Sequence, residues 1–212
     1  MRILLVCAAN QCRSPMAQVL LADRLEGMGL DPDVTSAGFG PAGRPAADGA
    51  RRAVAERGLT LEAHRSRSLT AELLAGADLV ITMESRQVQA AVGLDPACWP
   101  RCFTLTDLVR RAEQAGPLAG HEPADWLAGL QLGRRPADVA AAGGRDDIKD
   151  PMGGSARRFR ETAQELSGLI DRLAAQLSRD GSSPPPAVSA GPVSRWEALR
   201  RALGSPHAPR RR

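Results

Sequence analysis

The chain contains no tyrosine, and its aromatic residues are only three Phe and three Trp in 212. A core must therefore be filled mainly by Leu, Val, Ile and Ala. Lysine is nearly absent as well: Lys149 stands alone among 28 basic residues, the rest being arginine. With the abundant Ala, Gly and Pro, this points to a GC-rich coding bias rather than to a function. No apolar run approaches the ~20 residues that a membrane-spanning helix requires. The N-terminus carries neither a basic leader nor a small-residue cleavage site, so a cytoplasmic protein is expected. In a reducing cytoplasm the four cysteines, Cys7, Cys12, Cys98 and Cys102, are expected as free thiols rather than as two disulfides.

The net charge of +4 is unevenly placed. Residues 181–212 hold six arginines against Glu197 alone, a balance of +5 that leaves −1 for residues 1–180. The basic character thus belongs to the tail, and no nucleic acid is expected to bind the rest. The length suits one domain with a sizeable core and an extension. A domain over 1–179 is expected, interrupted by a Gly/Pro/Ala-rich insertion at 115–147 that reads as a lid or as surface padding. A flexible basic tail over 180–212 follows, with a linker at GSSPPPAVSAGP and a short amphipathic helix at 194–203. A solvated extension is the plain reading of that tail, and an acidic partner or membrane surface is the alternative.

Apolar runs alternate with helical patterns. Strands are expected at Arg2 to Cys7, 34–38, 77–83 and 101–105. Helices are expected at 14–30, 46–57, 70–74, 84–92 and 106–114, at about 126–132 and 137–142 within the insertion, and finally at 155–178. Ser14 and Thr106 are read as helix caps, and Pro15 as a first-turn proline. Four short strands in this alternation imply an α/β fold: a flavodoxin-like, doubly wound parallel sheet with helices on both faces. Ligands of such sheets bind beyond the carboxyl ends of the strands. Cys7 stands at one of those ends.

The stretch from Cys7 to Pro15 carries the chemistry. A free thiol near pKa ~8.5 is mostly protonated at neutral pH. A helix N-terminus and a guanidinium both favour the thiolate, and the start of the helix at Ser14 and Arg13 supply them. Backbone N–H groups of residues 8–13 can converge on an anion. The planar fork of Arg13 can grip two phosphate oxygens. Ser14 can donate a hydrogen bond to Cys7 as it leaves.

This stretch resembles the low-molecular-weight protein tyrosine phosphatases, which open with an apolar strand and Cys-x-Gly-Asn-x-Cys-Arg-Ser-Pro. Here the residues are Cys7-Ala8-Ala9-Asn10-Gln11-Cys12-Arg13-Ser14-Pro15. The likeness runs on through Ser36-Ala37-Gly38, His64-Arg65-Ser66-Arg67, Ala77–Met83 and Asp150-Pro151, covering residues 1–178. It implies a phosphomonoester hydrolase acting on phosphorylated protein, through a cysteinyl-phosphate and without cofactor or metal. Cys7 would be the nucleophile, Arg13 the phosphoryl-binding cation, and Asp150 the acid that protonates the leaving oxygen and then activates water. Ala8, Ala9, Asn10, Gln11, Cys12 and Ser14 would line the phosphate, and Asn10, Ser14, Ser36 and His64 would form a supporting network. A monomer is expected.

Three departures stand out. Ala9 replaces the usual glycine, which tightens the backbone near the phosphate. Met152 and Gly153 stand where eukaryotic members carry two tyrosines. Phe39 is the one aromatic residue available as a wall after Gly38. Gln11, at the variable loop position, leaves room for another phospho-residue such as phosphoarginine. A thiol-dependent arsenate reductase of the same fold is the other enzymatic reading. It would need Cys98 or Cys102 as relay thiols, since Met83-Glu84 stands where such reductases carry one. A Cys7–Cys12 disulfide is chemically open. A zinc site at Cys98 and Cys102 lacks neighbouring ligands. A non-catalytic anion-binding module remains the third class, though it would have no need of Asp150.

Overall fold

In the computed structural model, residues 1–31, 33–141 and 144–178 are described. The linker and the helix expected at 194–203 lie outside the described residues. Four strands, β1 (Arg2–Cys7), β2 (Asp33–Gly38), β3 (Leu79–Thr82) and β4 (Cys102–Thr104), form one sheet in the order β2-β1-β3-β4. All neighbours are parallel, with Ile3 opposite Val34 and Leu79, and Val80 opposite Cys102.

The two-residue period of the strands sorts their side chains into two layers. Ile3, Leu5 and Cys7 of β1 join one apolar cluster with Leu79, Ile81 and Phe103. Leu4 and Val6 join the other with Val80 and Cys102. Burial on both faces is why these strands read as continuous apolar runs. The first layer is closed by α1 (Arg13–Gly27), α2 (Asp48–Ala55), α5 (Leu105–Ala115), α6 (Pro123–Leu130) and α8 (Ala156–Leu177). The second is closed by α3 (Ala71–Gly76), α4 (Ser85–Leu94) and α7 (Pro136–Ala141). The last helix buries Phe159, Leu166, Ile170, Leu173 and Leu177 at helical spacing. Each such side chain contributes about 1.5–3 kcal/mol relative to exposure.

Two expected caps are corrected. Cys12, not Ser14, is the residue before α1, and it makes no side-chain cap bond. Ser14 lies inside the helix with its hydroxyl turned back toward the strand. Thr104, not Thr106, caps α5 by accepting from the Asp107 N–H at 3.2 Å. The patterns could not separate these, because both threonines flank the same apolar run. A 3-10 helix over Pro96–Arg101, capped by Asp95, fills a stretch left unassigned by periodicity.

Segment 115–141 is bound into the fold rather than laid over it. The Trp126 Nε1–H donates to the Gly116 carbonyl at 2.9 Å, and the Leu118 N–H to the carbonyl of Gln176 at 2.7 Å. Arg134 is buried, its guanidinium 3.9 Å from the Trp99 ring centroid and 4.2 Å from that of Phe103. It donates to the carbonyls of Trp99 and Cys102. Burial pulls its pKa down to about 10 despite the attraction of Asp107. The segment thus covers the β4 edge of the sheet. Among the described residues, no helix is long and apolar enough to cross a membrane.

Helices α2 and α8 touch at Gly49, where an added Cβ would fall 2.4 Å from Cδ2 of the Phe159 ring. Gly49→Ala is expected to lose about 1–3 kcal/mol through this overlap, less the gain in helix propensity. The check is urea unfolding, which should show a lower midpoint with an unchanged slope.

Candidate active site

The loop between β1 and α1 takes its shape from Asn10. This is the one non-glycine residue with positive φ among the described residues, at 53°. Asparagine tolerates that conformation because its short amide can hydrogen-bond locally. Here the side-chain amide and the carbonyl of Asn10 are all occupied. Its Nδ2 donates to Ser14 Oγ at 3.0 Å and to Ser36 Oγ at 2.9 Å. Its Oδ1 accepts from the Arg67 N–H at 2.8 Å, and its carbonyl lies 2.7 Å from His64 Nε2. Ser36 passes its own proton to Gln18 Oε1 at 2.6 Å. Asn10, Ser14, Ser36 and His64 are therefore brought together, with Gln18 and Arg67 added.

Ser14 Oγ accepts from Asn10 and lies 3.1 Å from Cys7 Sγ. Its single proton is thereby directed at the sulfur, with the Ala37 carbonyl at 3.3 Å as the alternative acceptor. Cys7 and Cys12 are both buried free thiols. Burial, then the charges of Asp150 and Cys7, push the Cys12 thiol up to about 12, which keeps it protonated. Burial also pulls His64 below the ordinary imidazole range, against its bond to Asn10, and nearby Arg65 and Arg67 add to the effect. A neutral His64 then donates Nε2–H to the Asn10 carbonyl.

Arg13 is fully buried, so its charge must be matched. Its Nη1 donates to Glu84 Oε1 and, at 2.8 Å, to the Ile148 carbonyl. Its Nη2 donates to Asp150 Oδ2 at 2.7 Å. Glu84 also accepts from Arg86 and Gln87. Burial raises the Glu84 carboxyl, but the bonds from Arg86 and Arg13 outweigh it and hold it below the ordinary range. Asp150 arrives through a strap at the end of β3. The Ile148 N–H donates to the Met83 carbonyl at 2.8 Å, and Asp147 Oδ1 accepts from the Ser85 N–H and hydroxyl at 2.7 and 2.9 Å.

The remaining expected positions also meet here. Ala8, Ala9 and Gln11 are half-buried in the loop. Ala9 does not have positive φ, so its methyl group is accommodated without strain. The backbone room lies instead in Gly38 and Gly40. A Cβ on Gly38 would fall 2.6 Å from Asn10 N, and one on Gly40 3.2 Å from Ala9 Cα. Phe39 is 39% exposed with its N–H bound to the Ala8 carbonyl at 2.8 Å. Met152 is 45% exposed, with its Sδ 4.0 Å from Cys12 Sγ. Both are thus exposed apolar side chains on segments bonded to or touching the loop. Cys98 and Cys102 do not join the site: both are fully buried in the other layer, away from the cluster that holds Cys7.

Sequence reasoning overlooked Glu84 and Asp147. The signal available for Glu84 was its place just beyond the carboxyl end of β3. Asp147 has no sequence signal that separates it from a solvated loop acid, yet it caps α4 from a distance.

Residues 2–118 match the family model described as low molecular weight phosphotyrosine protein phosphatase. The match ends before Asp150. The protein-arginine-phosphatase of Bacillus subtilis (strain 168) is 32% identical over 181 residues, covering 85% of this chain and 99% of that protein. The arginine phosphatase YwlE, solved as a cysteine-to-serine mutant with a phosphorylated active site serine, gives a TM-score of 0.66 at 30% identity, covering 85% of this chain and 97% of its own. A low molecular weight protein tyrosine phosphatase from T. tengcongensis gives 0.64 at 33% identity, covering 84% and 99%.

Removing Glu84 should loosen Arg13 without removing it. Glu84→Ala is expected to lower kcat/KM for an aryl phosphate by about tenfold or more, since the arginine loses its orientation. It should also change the acid limb of stability. With its folded pKa depressed, Glu84 stabilises the fold above its unfolded value of about 4.3, and that contribution is lost as pH falls through the lower folded value. A plot of unfolding free energy against pH should show this limb in the wild type and lack it in Glu84→Ala. His64 has the same sign: stability should decline as pH falls below about 6.5, and His64→Gln should lack that decline.

Proposed function

The chain belongs to the low molecular weight phosphotyrosine protein phosphatase family and is a cysteine-dependent phosphatase, and on that premise we propose that Cys7, Arg13 and Asp150 catalyse the hydrolysis of phosphotyrosine in proteins. The observation that carries this is one constellation: the Ser14 hydroxyl on Cys7 Sγ, beside a buried Arg13 that holds Asp150.

In the first step the Cys7 thiolate attacks phosphorus. The P–S bond forms as the bond to the ester oxygen breaks, and that oxygen takes the Asp150 proton. The phosphoryl oxygens replace Asp150 Oδ2 on Arg13 Nη2, which frees the Asp150 carboxyl to face the leaving oxygen, and with the N–H groups of residues 8–13 this cation opposes the charge of the transition state. In the second step the Asp150 carboxylate accepts a proton from water as its oxygen attacks phosphorus. The P–S bond breaks, and Cys7 departs as a thiolate stabilised by the Ser14 hydroxyl. Asn10, Ser36 and His64 hold the loop in place. No step calls for a metal or cofactor.

Phe39 and Met152 offer apolar contact to an aryl ring, which favours phosphotyrosine. Phosphoarginine is the second reading, supported by the Bacillus subtilis arginine phosphatase, which is similar along most of this chain. Gln11 then becomes the loop residue nearest the choice. The burial of Cys98 and Cys102 away from Cys7 counts against arsenate reduction, which needs relay thiols. The enzyme is proposed to work as a cytoplasmic monomer, with residues 1–179 as the phosphatase domain and 180–212 as a basic tail.

The test is turnover of matched phosphotyrosine and phosphoarginine peptides. Phosphotyrosine should be preferred, and a preference for phosphoarginine would establish the second reading. Cys7→Ser should show no turnover, and a wild-type rate would refute the mechanism. Asp150→Asn should lower kcat by about a hundredfold or more with an aryl ester whose leaving group needs protonation.

A further inference from the structure

A phosphatase acting on proteins must also meet the residues that flank the phosphorylated one. Two loops stand beside the phosphate loop. Residues 41–47 and 64–68 pair with each other: the Ser66 N–H donates to the Arg44 carbonyl and the Gly43 N–H to that of Ser66, both at 2.8 Å, and Pro45 bridges Arg65. The pair is fastened to the phosphate loop at three points. These are the bonds from Arg67 and His64 to Asn10, and the Ala47 N–H to the Gln11 carbonyl at 2.9 Å. Arg44, Arg65 and Arg67 are therefore within three residues of backbone or side-chain groups that touch the loop, and all three are exposed.

Charge is concentrated here. Residues 38–70 hold six arginines against three acids, within a stretch of 1–180 whose balance is −1. The three acids are already occupied: Asp48 and Glu62 both pair with Arg51, and Glu56 with Arg160. Elsewhere arginines commonly face carboxylates, as Arg110 does Asp146 and Arg172 does Glu113. Among the described residues, Arg44, Arg65 and Arg67 have no carboxylate partner. Arg65 donates only to the carbonyls of Glu62 and His64, and Arg67 to that of Ser36. Arg65 and Arg67 also lie near enough to His64 to oppose a charge on it.

We propose that Arg44, Arg65 and Arg67 form a docking rim for acidic residues flanking the phosphorylated side chain, so that the enzyme selects phosphoprotein segments rich in Asp and Glu. This rests on the phosphatase reading above. The rim acts through guanidinium groups that face no carboxylate among the described residues and keep further N–H groups for one. It acts chiefly on encounter and selection, because the charges are exposed and screened by salt.

The experiment uses the full chain and three phosphotyrosine peptides of equal length, flanked by Glu, Gln or Lys, with a phosphoarginine set in parallel. The small ester p-nitrophenyl phosphate reports the chemistry without the rim. Glu-flanked peptides should exceed Lys-flanked ones in kcat/KM by roughly three- to tenfold at low salt, as expected of two or three exposed pairs. The gap should narrow at high salt. The double substitution Arg44→Gln, Arg65→Gln should shrink the gap while p-nitrophenyl phosphate turnover stays within about twofold, because neither side chain touches the phosphate loop. Equal kcat/KM across the flanks with normal p-nitrophenyl phosphate turnover would overturn the rim, as would a gap that survives the double substitution. Absence of p-nitrophenyl phosphate turnover, or its persistence in Cys7→Ser, would instead overturn the phosphatase reading.

Discussion

A buried guanidinium is the constraint on which this structure depends. Arg13 has no exposed surface to speak of, and an unpaired charge there would cost several kcal/mol. Its partners come from distant parts of the chain: Glu84 at the end of β3, and Ile148 and Asp150 on the strap before α8. Satisfying one side chain therefore draws the first loop, the middle of the sheet and the last loop to a single point. Arginine suits the place because its fork can serve several acceptors at once.

Around that point the backbone of the first loop is held by polar bonds rather than by apolar packing. Asn10 adopts a conformation that few residues accept, and four hydrogen-bonding partners fix it there. One of these, Ser14, passes the direction on to Cys7. The chemistry and the scaffold are thus continuous: the bonds that keep the loop in shape also aim a proton at the sulfur. Asp147 performs a similar service at the other side, capping α4 while it anchors the strap that presents Asp150.

What the sequence made legible follows from locality. Cys7 to Pro15 is contiguous, so the residues that meet in the first loop could be read directly. The parallel sheet and its two covered faces followed from apolar runs alternating with helical periods. Glu84 and Asp147 escaped because each acts through a contact more than sixty positions away, and an acid next to a strand end looks like any solvated acid. Ser14 was read as a cap because serine before a helix usually is one. Its hydroxyl is instead taken by a sulfur that only the folded loop brings near. Segment 115–147 looked like a lid or padding because Gly, Pro and Ala carry little pattern. Arg134, which stacks it between Trp99 and Phe103, gives no sign of burial in the sequence.

The proposed mechanism requires a phosphoryl group to pass through one sulfur. The direct measurement is mass spectrometry of the protein acid-quenched during turnover of p-nitrophenyl phosphate, with the adduct mapped by peptide. A phosphoryl group on Cys7, absent from the substrate-free enzyme, is the predicted result. An adduct on another residue in an enzyme turning over at full rate would contradict it.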